Sequence, residues 1–362
     1  MSKRGRVLVA MSGGVDSSVA AVMLHEQGYE VIGLTMKTWD YASSGGSSKE
    51  TGCCSLDSIN DARALAVSYG FPHYILDIRG EFGDFVIDNF VDEYLAGRTP
   101  NPCVLCNTHI KWEALLKRAD KLDCEFIATG HYANIRQQDN GRYVISKGKD
   151  THKDQSYVLW GVSQENLART QFPLGSFTKM EIRQMAAEMG QLELANKSES
   201  YEICFVPDND YRAFLRHRVE DIDERIGPGN FVLTDGTVVG RHQGYPYYTV
   251  GQRKGLGIAL GRPIFVTQIL PESNTVVLGD EQELQRQEAY VKNVNLVKYA
   301  SITEPIEAVT KIRYKDAGMT STIVQEGDRV KVDFHHAVKG IAPGQSAVFY
   351  EGDDLLGGGF LM

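Results

Sequence analysis

The first third of the chain alternates apolar runs with segments in which hydrophobic residues recur at helical spacing. Arg6–Ala10 is an apolar run that predicts a buried parallel strand, and the segment after it predicts a helix that ends at Gly28. The further predicted strands are 30–39, 73–78 and one within 125–132 that runs into a Gly-His turn, and the further predicted helices are 55–69, 81–97 and 109–122. Such alternation is typical of a doubly wound parallel sheet with helices on both faces, so we expect an α/β domain.

The pattern changes after Pro207. A short basic helix is predicted over 210–218, and from Gly227 onward glycine, aromatic and β-branched residues predominate. Short alternating strands over 290–362 predict a small antiparallel barrel. We therefore predict three domains: an α/β domain over 1–207, a central α+β domain over 208–280 and a C-terminal antiparallel β-barrel over 281–362.

Composition narrows the class of protein. The chain has 362 residues, of which 42% are hydrophobic and 23% are charged, as in ordinary globular proteins. No apolar run approaches the roughly 18 residues of a membrane span, and the basic N-terminus has no apolar core of a signal peptide, so we expect a cytoplasmic protein. Six cysteines in so long a chain indicate a reducing compartment and not a disulfide scaffold. The net charge of −9 argues mildly against a nucleic-acid partner without excluding one.

A glycine- and serine-rich turn links the first strand to the first helix. This arrangement leaves free backbone N–H groups at a helix N-terminus, where the helix dipole also favours an anion. No lysine closes the turn, so it is not a GxxxxGK[ST] loop. Asp16 is a candidate to hold the magnesium ion of a nucleotide. The predicted nucleotide-binding residues of this turn are Ala10, Met11, Ser12, Gly13, Gly14, Val15, Asp16, Ser17 and Ser18.

The string SGGVDSS (12–18) resembles the PP-loop of N-type ATP pyrophosphatases. The resemblance implies that the protein uses ATP with Mg²⁺, cleaves it between the α and β phosphates, and adenylates a substrate. Met36 lies near the carboxyl end of the second predicted strand, where ligands of open α/β sheets bind, so it either lines an adenine pocket or packs in the core.

Cysteines supply the second chemical signal. Cys103 and Cys106 stand in the loop 97–107 with the C-x-x-C spacing of a metal site, a redox pair or a nucleophile with a neighbour. Zinc would need two more ligands, for which Cys53 and Cys54 are candidates, whereas an iron–sulfur cluster would need only Cys204 in addition. Cys204 itself stands between apolar neighbours, as a core thiol does.

Eight motifs together resemble the bacterial tRNA-specific 2-thiouridylases over nearly the whole chain. They are SGGVDSS, GCCS (52–55), GRTPNPCVLCN (97–107), ATGHYA (128–133), KDQSY (153–157), SESYEICFV (198–206), TVGQRKGLGI (249–258) and PGQSAVFY (343–350). The resemblance implies a sulfurtransferase that adenylates the C2 oxygen of the wobble uridine and then replaces it with sulfur from a cysteine persulfide. Its implied partners are tRNA, bound at the anticodon stem-loop, and a persulfide donor such as a cysteine desulfurase or a sulfur-relay protein.

The same resemblance assigns roles to individual residues. Cys106 matches the nucleophile and Cys204 the persulfide carrier, and two thiols suffice if one carries the sulfur and the other expels it by forming a disulfide. The resemblance also implies that Gly130 binds the nucleotide. The loop beside the target base comprises Pro100, Asn101, Pro102 and Cys103. The implied tRNA contacts are His131, Lys153, Asp154, Gln155, Arg313, Tyr314 and Gln345.

Cys103 departs from the pattern, because some members of the family carry an acidic residue there as a general base. Either that acid is dispensable, or the Cys103 thiolate performs the same task, or Cys103 helps to hold a cluster. Two other functions also stay open: a PP-loop ligase acting on a small molecule, and a non-enzymatic metal- or redox-sensing RNA-binding module. The first leaves the paired thiols unexplained, and the second leaves SGGVDSS unexplained.

Overall fold

The computed structural model describes residues 4–39, 55–197 and 203–362. These residues divide into two compact units, and each is described separately. The first comprises Met1–Val86, Cys103–Asn209 and Asp353–Leu355, and the second comprises Ile87–Pro102, Asp210–Gly352 and Leu356–Met362. Within the described ranges, no helix has the length and apolarity that a bilayer crossing requires.

The first unit is built on a parallel sheet of order β3-β2-β1-β4-β7. Its strands are β1 Arg6–Ala10, β2 Glu30–Lys37, β3 His73–Asp77, β4 Phe126–Ala128 and β7 Thr170–Gln171, and β5 Ala133–Gln137 pairs with β6 Tyr143–Lys147 in a hairpin. Its helices are α1 Val15–Glu26, α2 Leu56–Tyr69, α3 Arg79–Phe82, α6 Trp112–Lys121, α7 Gln164–Ala168, α8 Lys179–Glu188 and α9 Leu192–Asn196. The predicted doubly wound α/β domain is confirmed.

Burial of apolar faces holds this sheet between its helices. Val7 and Val9 of β1 are fully buried against Ala21 and Val22 of α1 in one core cluster. Burial of a valine side chain contributes about 1.5–3 kcal/mol, so β1 anchors the loop that follows it. The register of β1 with β4 pairs Val9 with Ala128, which brings the chain after both strands to the same edge of the sheet.

Two helical segments differ from the sequence prediction. The single helix predicted over 81–97 is instead α3, a π-helical stretch Gly83–Ile87 and α4 Asp88–Leu95. The helix predicted to start at residue 109 starts earlier, as α5 Pro102–Leu105 followed by a π-helical stretch Cys106–Lys111 and then α6. Hydrophobic spacing near 3.6 residues does not distinguish an α-helix from one interrupted by a π-bulge, which is frequent at functional sites.

The second unit contains a four-stranded sheet and a closed barrel. Its helices are α4, α10 Tyr211–Arg218 and α11 Ile222–Arg225, and the four-stranded sheet has the order β10-β11-β8-β9. Its strands are β8 Gly229–Leu233, β9 Val238–His242, β10 Phe265–Leu270 and β11 Thr275–Gly279. The barrel strands are β12 Gln285–Leu296, β13 Ile306–Lys311, β14 Met319–Glu326, β15 Arg329–Lys339, β16 Ser346–Glu351 and β17 Asp354–Leu361.

The barrel closes because its first and last strands pair. The order is β12-β15-β14-β13-β16-β17, and β12 then pairs with β17, with Val291 opposite Leu361. Alternate residues point inward, so Val330, Val332 and Phe334 of β15 enter one buried core. The predicted C-terminal antiparallel barrel is confirmed.

Candidate active site

The predicted phosphate loop leaves the first turn of α1 open toward a ligand. Gly14 caps α1 with an extended backbone (φ −95°, ψ 163°) and has no side chain to occupy the free N–H groups. Gly13 has φ +68°, and a Cβ there would collide with the carbonyl group of Ser58. Ser17 Oγ accepts a hydrogen bond from the Ser12 backbone N–H at 3.0 Å, which folds the loop over the helix start. The arrangement fits an anion such as pyrophosphate.

Gly130 approaches this helix turn from the end of β4. A Cβ at Gly130 would lie 2.9 Å from the Asp16 carbonyl carbon and from the Ser17 nitrogen, so only glycine fits without displacement. Met36 lies half-buried near the carboxyl end of β2, opposite Leu76. Gly130 and Met36 thus share the carboxyl edge of the sheet with the phosphate loop. Their roles in nucleotide binding stay predictions.

The Asp16 carboxylate lies in a polar cluster that the sequence did not indicate. Lys179 Nζ contacts both Asp16 carboxylate oxygens at 2.7 Å, and the Tyr132 hydroxyl donates to one of them at 2.7 Å. The Lys179 side chain is only 9% exposed, against 34% for Asp16. A capping box between Thr178 and Glu181 starts α8 and so fixes Lys179 in its first turn. The capping pattern was visible in the sequence, but its proximity to Asp16 was not.

Lys197 makes a second ionic link to the phosphate loop. Its Nζ lies 2.7 Å from Asp61 Oδ2 and donates to the Gly13 carbonyl oxygen at 2.9 Å. It therefore ties the loop to α2, whose N-cap is Ser55 as predicted. Residues 198–202 follow Lys197 directly and lie outside the described residues, as do Cys53 and Cys54.

The candidate cysteines differ in exposure. Cys106 is buried, with 8% of its surface exposed, and begins the π-helical stretch, whereas Cys103 and Cys204 are exposed. Desolvation by the surrounding protein raises the pKa of the Cys103 thiol, and the charge of Lys111 opposes this shift. The Cys103 side chain nevertheless keeps contact with solvent.

Packing relates Cys204 to the helix of Cys106. Phe205 follows Cys204 and is buried, with its ring 5.7 Å from that of Phe82 in an edge-on contact. Phe82 ends α3, which packs against the π-helical stretch that begins at Cys106. Two cysteines 98 positions apart in sequence are therefore anchored to neighbouring elements of the first unit.

Hydrogen bonds within the second unit hold the segment 99–101, which includes Pro100 and Asn101 of the predicted target-base loop. The Thr99 N–H donates to the Pro343 carbonyl at 2.7 Å, and Gln345 Nε2 donates to the carbonyl oxygens of Thr99 at 3.3 Å and Pro100 at 2.8 Å. Asn101 Nδ2 donates to Ser346 Oγ at 3.3 Å. The turn 343–346 between β15 and β16 thus holds the loop that precedes Cys103.

Comparison with known proteins covers the whole chain. Residues 5–208 match the model described as tRNA methyl transferase HUP domain, residues 212–280 the tRNA methyl transferase PRC-barrel domain, and residues 286–361 the aminomethyltransferase beta-barrel domain. The tRNA-specific 2-thiouridylase MnmA of Amoebophilus asiaticus is 67% identical over 99% of this chain and 96% of its own length. That of Cytophaga hutchinsonii is 67% identical over all of this chain and 98% of its own, and that of Salinibacter ruber is 59% identical over all of this chain and 95% of its own.

The chain belongs to the MnmA family. The family resemblance seen in the sequence motifs is thereby confirmed. The range matched by the HUP-domain model contains SGGVDSS, Cys103, Cys106 and Cys204.

The residues that the resemblance implies as tRNA contacts differ in their exposure. Arg313 and Tyr314 are exposed, with Tyr314 41% exposed, and Lys153 is half-buried. Asp154 instead accepts from the Gly148 and Ser156 backbone N–H groups at 3.1 Å each, so it stabilises its own turn.

Two further residues implied as tRNA contacts, Gln155 and His131, make hydrogen bonds inside the first unit. Gln155 Oε1 accepts from the Tyr132 N–H at 3.1 Å. His131 is buried, hydrogen-bonds Thr129 Oγ1 through Nδ1 at 2.8 Å, and packs 5.8 Å from the ring of Trp112. Burial, aided by the charge of Lys111, lowers the pKa of His131 to about 3. The ring of His131 thus lies largely in the core, and its contact with tRNA stays a prediction.

The iron–sulfur cluster considered as one alternative for the cysteines has no ligand set among the described residues. Across residues 4–39, 55–197 and 203–362, no three His, Cys, Asp or Glu side chains stand close enough to hold a metal ion. Cys103, Cys106 and Cys204 all belong to those ranges, so they do not form a set of ligands here. Asp16 is a single carboxylate already paired with Lys179, and its role with magnesium stays a prediction.

Proposed function

We propose that this chain is an ATP-dependent tRNA 2-thiouridylase, a sulfurtransferase that acts on the wobble uridine in the anticodon stem-loop. The observation that carries the proposal is the full-length identity of 67% to proteins named tRNA-specific 2-thiouridylase MnmA. An anion-binding helix start and two cysteines on neighbouring elements of the first unit supply the chemistry that this reaction needs.

Adenylation is the first step of the proposed reaction. The uridine O2 attacks the α-phosphorus of ATP, the bond to the β-phosphate breaks, and pyrophosphate leaves. We propose that the free N–H groups of α1 and the hydroxyls of Ser12, Ser17 and Ser18 hold the pyrophosphate, and that Met36 and Gly130 border the nucleoside. Magnesium bound to the phosphates would neutralise the developing charge, and Asp16 is the carboxylate that could hold it.

Sulfur transfer is the second step. The terminal sulfur of a persulfide on Cys204 attacks C2, and AMP leaves with the original O2. The Cys106 thiolate then attacks the Cys204 Sγ, forming a Cys106–Cys204 disulfide and leaving the transferred sulfur on C2 as the thiocarbonyl. A thiol reductant restores both cysteines. We propose that a cysteine desulfurase or a sulfur-relay protein reloads Cys204, that Pro100, Asn101, Pro102 and Cys103 border the target base, and that the reaction takes place in the cytoplasm.

The test is a reconstituted reaction with purified protein, ATP, Mg²⁺, unmodified tRNA and either free sulfide or a persulfide donor. Mass spectrometry of the digested nucleosides distinguishes replacement of oxygen by sulfur from methylation. We expect 2-thiouridine at the wobble position. In Cys204→Ser, product should be lost with the persulfide donor, whereas free sulfide bypasses the carrier. ATP cleavage to AMP without RNA and without thiolated product would instead support a small-molecule ligase.

A further inference from the structure

Cys103 has no chemical step in the sulfur transfer proposed above. It is a reduced cysteine of the first unit, as are Cys106 and Cys204. The proposed transfer ends with a disulfide between Cys106 and Cys204. Both must return to thiols before a second turnover, so the site needs a route by which that disulfide is opened.

The backbone places Cys103 one helical turn before Cys106. Cys103 lies in α5, and Cys106 begins the π-helical stretch that continues it. Leu105 has helical φ and ψ of −60° and −43°, and Thr108 Oγ1 donates back to the Val104 carbonyl at 2.9 Å, so the helical run is continuous across Cys106. Residues three apart on a helix have Cβ atoms about 5–6 Å apart. A disulfide needs about 3.5–4.5 Å, so a small adjustment at the start of α5 would bond the two sulfurs.

Cys204 is attached to a different element. Its neighbour Phe205 packs on Phe82 at the end of α3, and the three cysteines do not stand together as a ligand set among the residues that the structure describes. A bond from Cys106 to Cys204 therefore joins two elements, whereas a bond from Cys106 to Cys103 stays within one turn. The local partner remains beside Cys106 wherever Cys204 moves.

Exposure and protonation distinguish Cys103 from Cys106. Cys106 is 8% exposed, so a protein reductant has little access to its sulfur, whereas Cys103 is exposed. Desolvation raises the pKa of the Cys103 thiol, and the charge of Lys111 opposes this shift. A less acidic thiol is less often ionised, but its thiolate is the stronger nucleophile. Cys103 is therefore suited to attack a disulfide held one turn away while it resists oxidants in solution.

We propose that Cys103 is the resolving thiol of the sulfur relay. The Cys103 thiolate attacks Cys106 Sγ, the Cys106–Cys204 bond breaks, and Cys204 leaves as a thiolate that takes up the proton released by Cys103. The product is a Cys103–Cys106 disulfide, and this exchange involves no net oxidation. An external dithiol then reduces that disulfide at the exposed Cys103, which yields two thiols and the oxidised dithiol. This inference rests on the proposed function.

The exchange separates reduction from reloading. Cys204 becomes a thiol again with no external reductant attached to it, so a persulfide donor can reload it while the dithiol acts at Cys103. Exposed or strained disulfides have the higher reduction potentials and are the labile ones. A disulfide within one helical turn, with one sulfur at the surface, belongs to that class.

The test is a disulfide map of the full-length protein after one turnover without reductant. Wild-type protein loaded by a persulfide donor is mixed with ATP, Mg²⁺ and unmodified tRNA, and N-ethylmaleimide then blocks the remaining thiols. Trypsin releases Cys103 and Cys106 in one peptide, 99–111, and Cys204 in another, 198–212. We expect mainly an internal disulfide in 99–111, seen as the loss of two hydrogens, and an alkylated Cys204. The same incubation without ATP should give no disulfide.

The variant Cys103→Ser removes the resolving thiol, and Cys124→Ala is the matched control, because it removes a buried thiol of the same unit. In Cys103→Ser the two peptides should be joined through Cys106 and Cys204, whereas the control should give the wild-type map. The inference is overturned if wild type yields 2-thiouridine with joined peptides or with no disulfide, or if the internal disulfide forms equally without ATP. The wild-type map decides this even if a variant fails to fold. Failure of the proposed function would appear separately, as wild-type protein that forms no 2-thiouridine.

Discussion

The amide of Gln345, in the barrel turn between β15 and β16, donates a 2.8 Å hydrogen bond to the carbonyl oxygen of Pro100. Pro100 lies in the loop that precedes Cys103, so a residue 245 positions downstream sets the backbone of the predicted target-base loop. Gly344 adds to this fit, because it has φ +89° and a Cβ there would lie 2.8 Å from the Thr99 carbonyl oxygen. Gln345 therefore positions the loop from within the protein, whether or not it also contacts tRNA.

Gln345→Met should lower kcat for thiolation more than it weakens tRNA binding. Methionine fills the same volume but cannot donate to the Thr99 and Pro100 carbonyls, and about 1 kcal/mol lost per hydrogen bond corresponds to about a tenfold or greater decrease in kcat. Steady-state kinetics and a separate tRNA titration measure the two effects. Gln325→Met is the control, since Gln325 also donates to two backbone carbonyls, at 2.8 and 3.1 Å, but within its own hairpin. A large loss of tRNA affinity with unchanged kcat would show a direct RNA contact instead.

Cys106→Ser and Cys204→Ser should each abolish thiolation with a persulfide donor, whereas Cys103→Ser should reduce it only moderately. A hydroxyl neither carries a persulfide nor forms the disulfide that releases the sulfur. Cys124→Ala is the control, because burial raises the pKa of the Cys124 thiol to about 11 and keeps it unreactive at neutral pH. Thiouridine is counted by mass spectrometry. Wild-type activity in either of the first two variants would refute the sulfur relay.

Lys179→Met should destabilise the protein and impair ATP-dependent adenylation. The change leaves the Asp16 carboxylate beside the phosphate loop without its buried counter-ion. Loss of one partner of a buried pair costs about 3–5 kcal/mol, so roughly 1–3 kcal/mol is expected here because Asp16 is partly exposed. Lys149→Met is the control, since it breaks the exposed ion pair with Glu181 and should barely shift Tm. Denaturant unfolding and tRNA-dependent pyrophosphate release are the measurements. Equal behaviour of the two variants would dismiss a special role for Lys179.

Acid should destabilise the fold partly through His131. The folded pKa of His131 is lowered to about 3, against 6.5 for the unfolded chain, so the unfolded state binds the proton first as pH falls. Between pH 7 and pH 5 this single group should cost about 2 kcal/mol of stability, and the loss should continue down to about pH 3. His131→Asn should flatten that part of the profile, as measured by urea unfolding at each pH. The exposed His152→Asn should retain the wild-type slope; an unchanged slope in His131→Asn would show that other groups cause it.

Local sequence patterns predicted the parts of the fold that depend on neighbours along the chain. The first strand, the glycine turn and α1 follow from apolar runs and backbone freedom, and Ser55 caps α2 as its hydroxyl chemistry predicts. The sequence patterns predicted wrong element bounds where tertiary contacts changed the local backbone. The helix predicted over 81–97 is broken by a π-helical stretch, and the strand predicted to run into a Gly-His turn over 125–132 covers only Phe126–Ala128.

The sequence by itself determined the glycine- and serine-rich turn before α1, the order of the domains and the family, because each of these depends on residue identity and local spacing. Only the tertiary structure decided which partners those residues have. It paired Asp16 with Lys179, buried His131, engaged Gln345 with the loop at Pro100 and brought Gly340 close to Gly251. Such contacts join residues tens to hundreds of positions apart, and they form because burying the cores of both units fixes the geometry that no local propensity encodes.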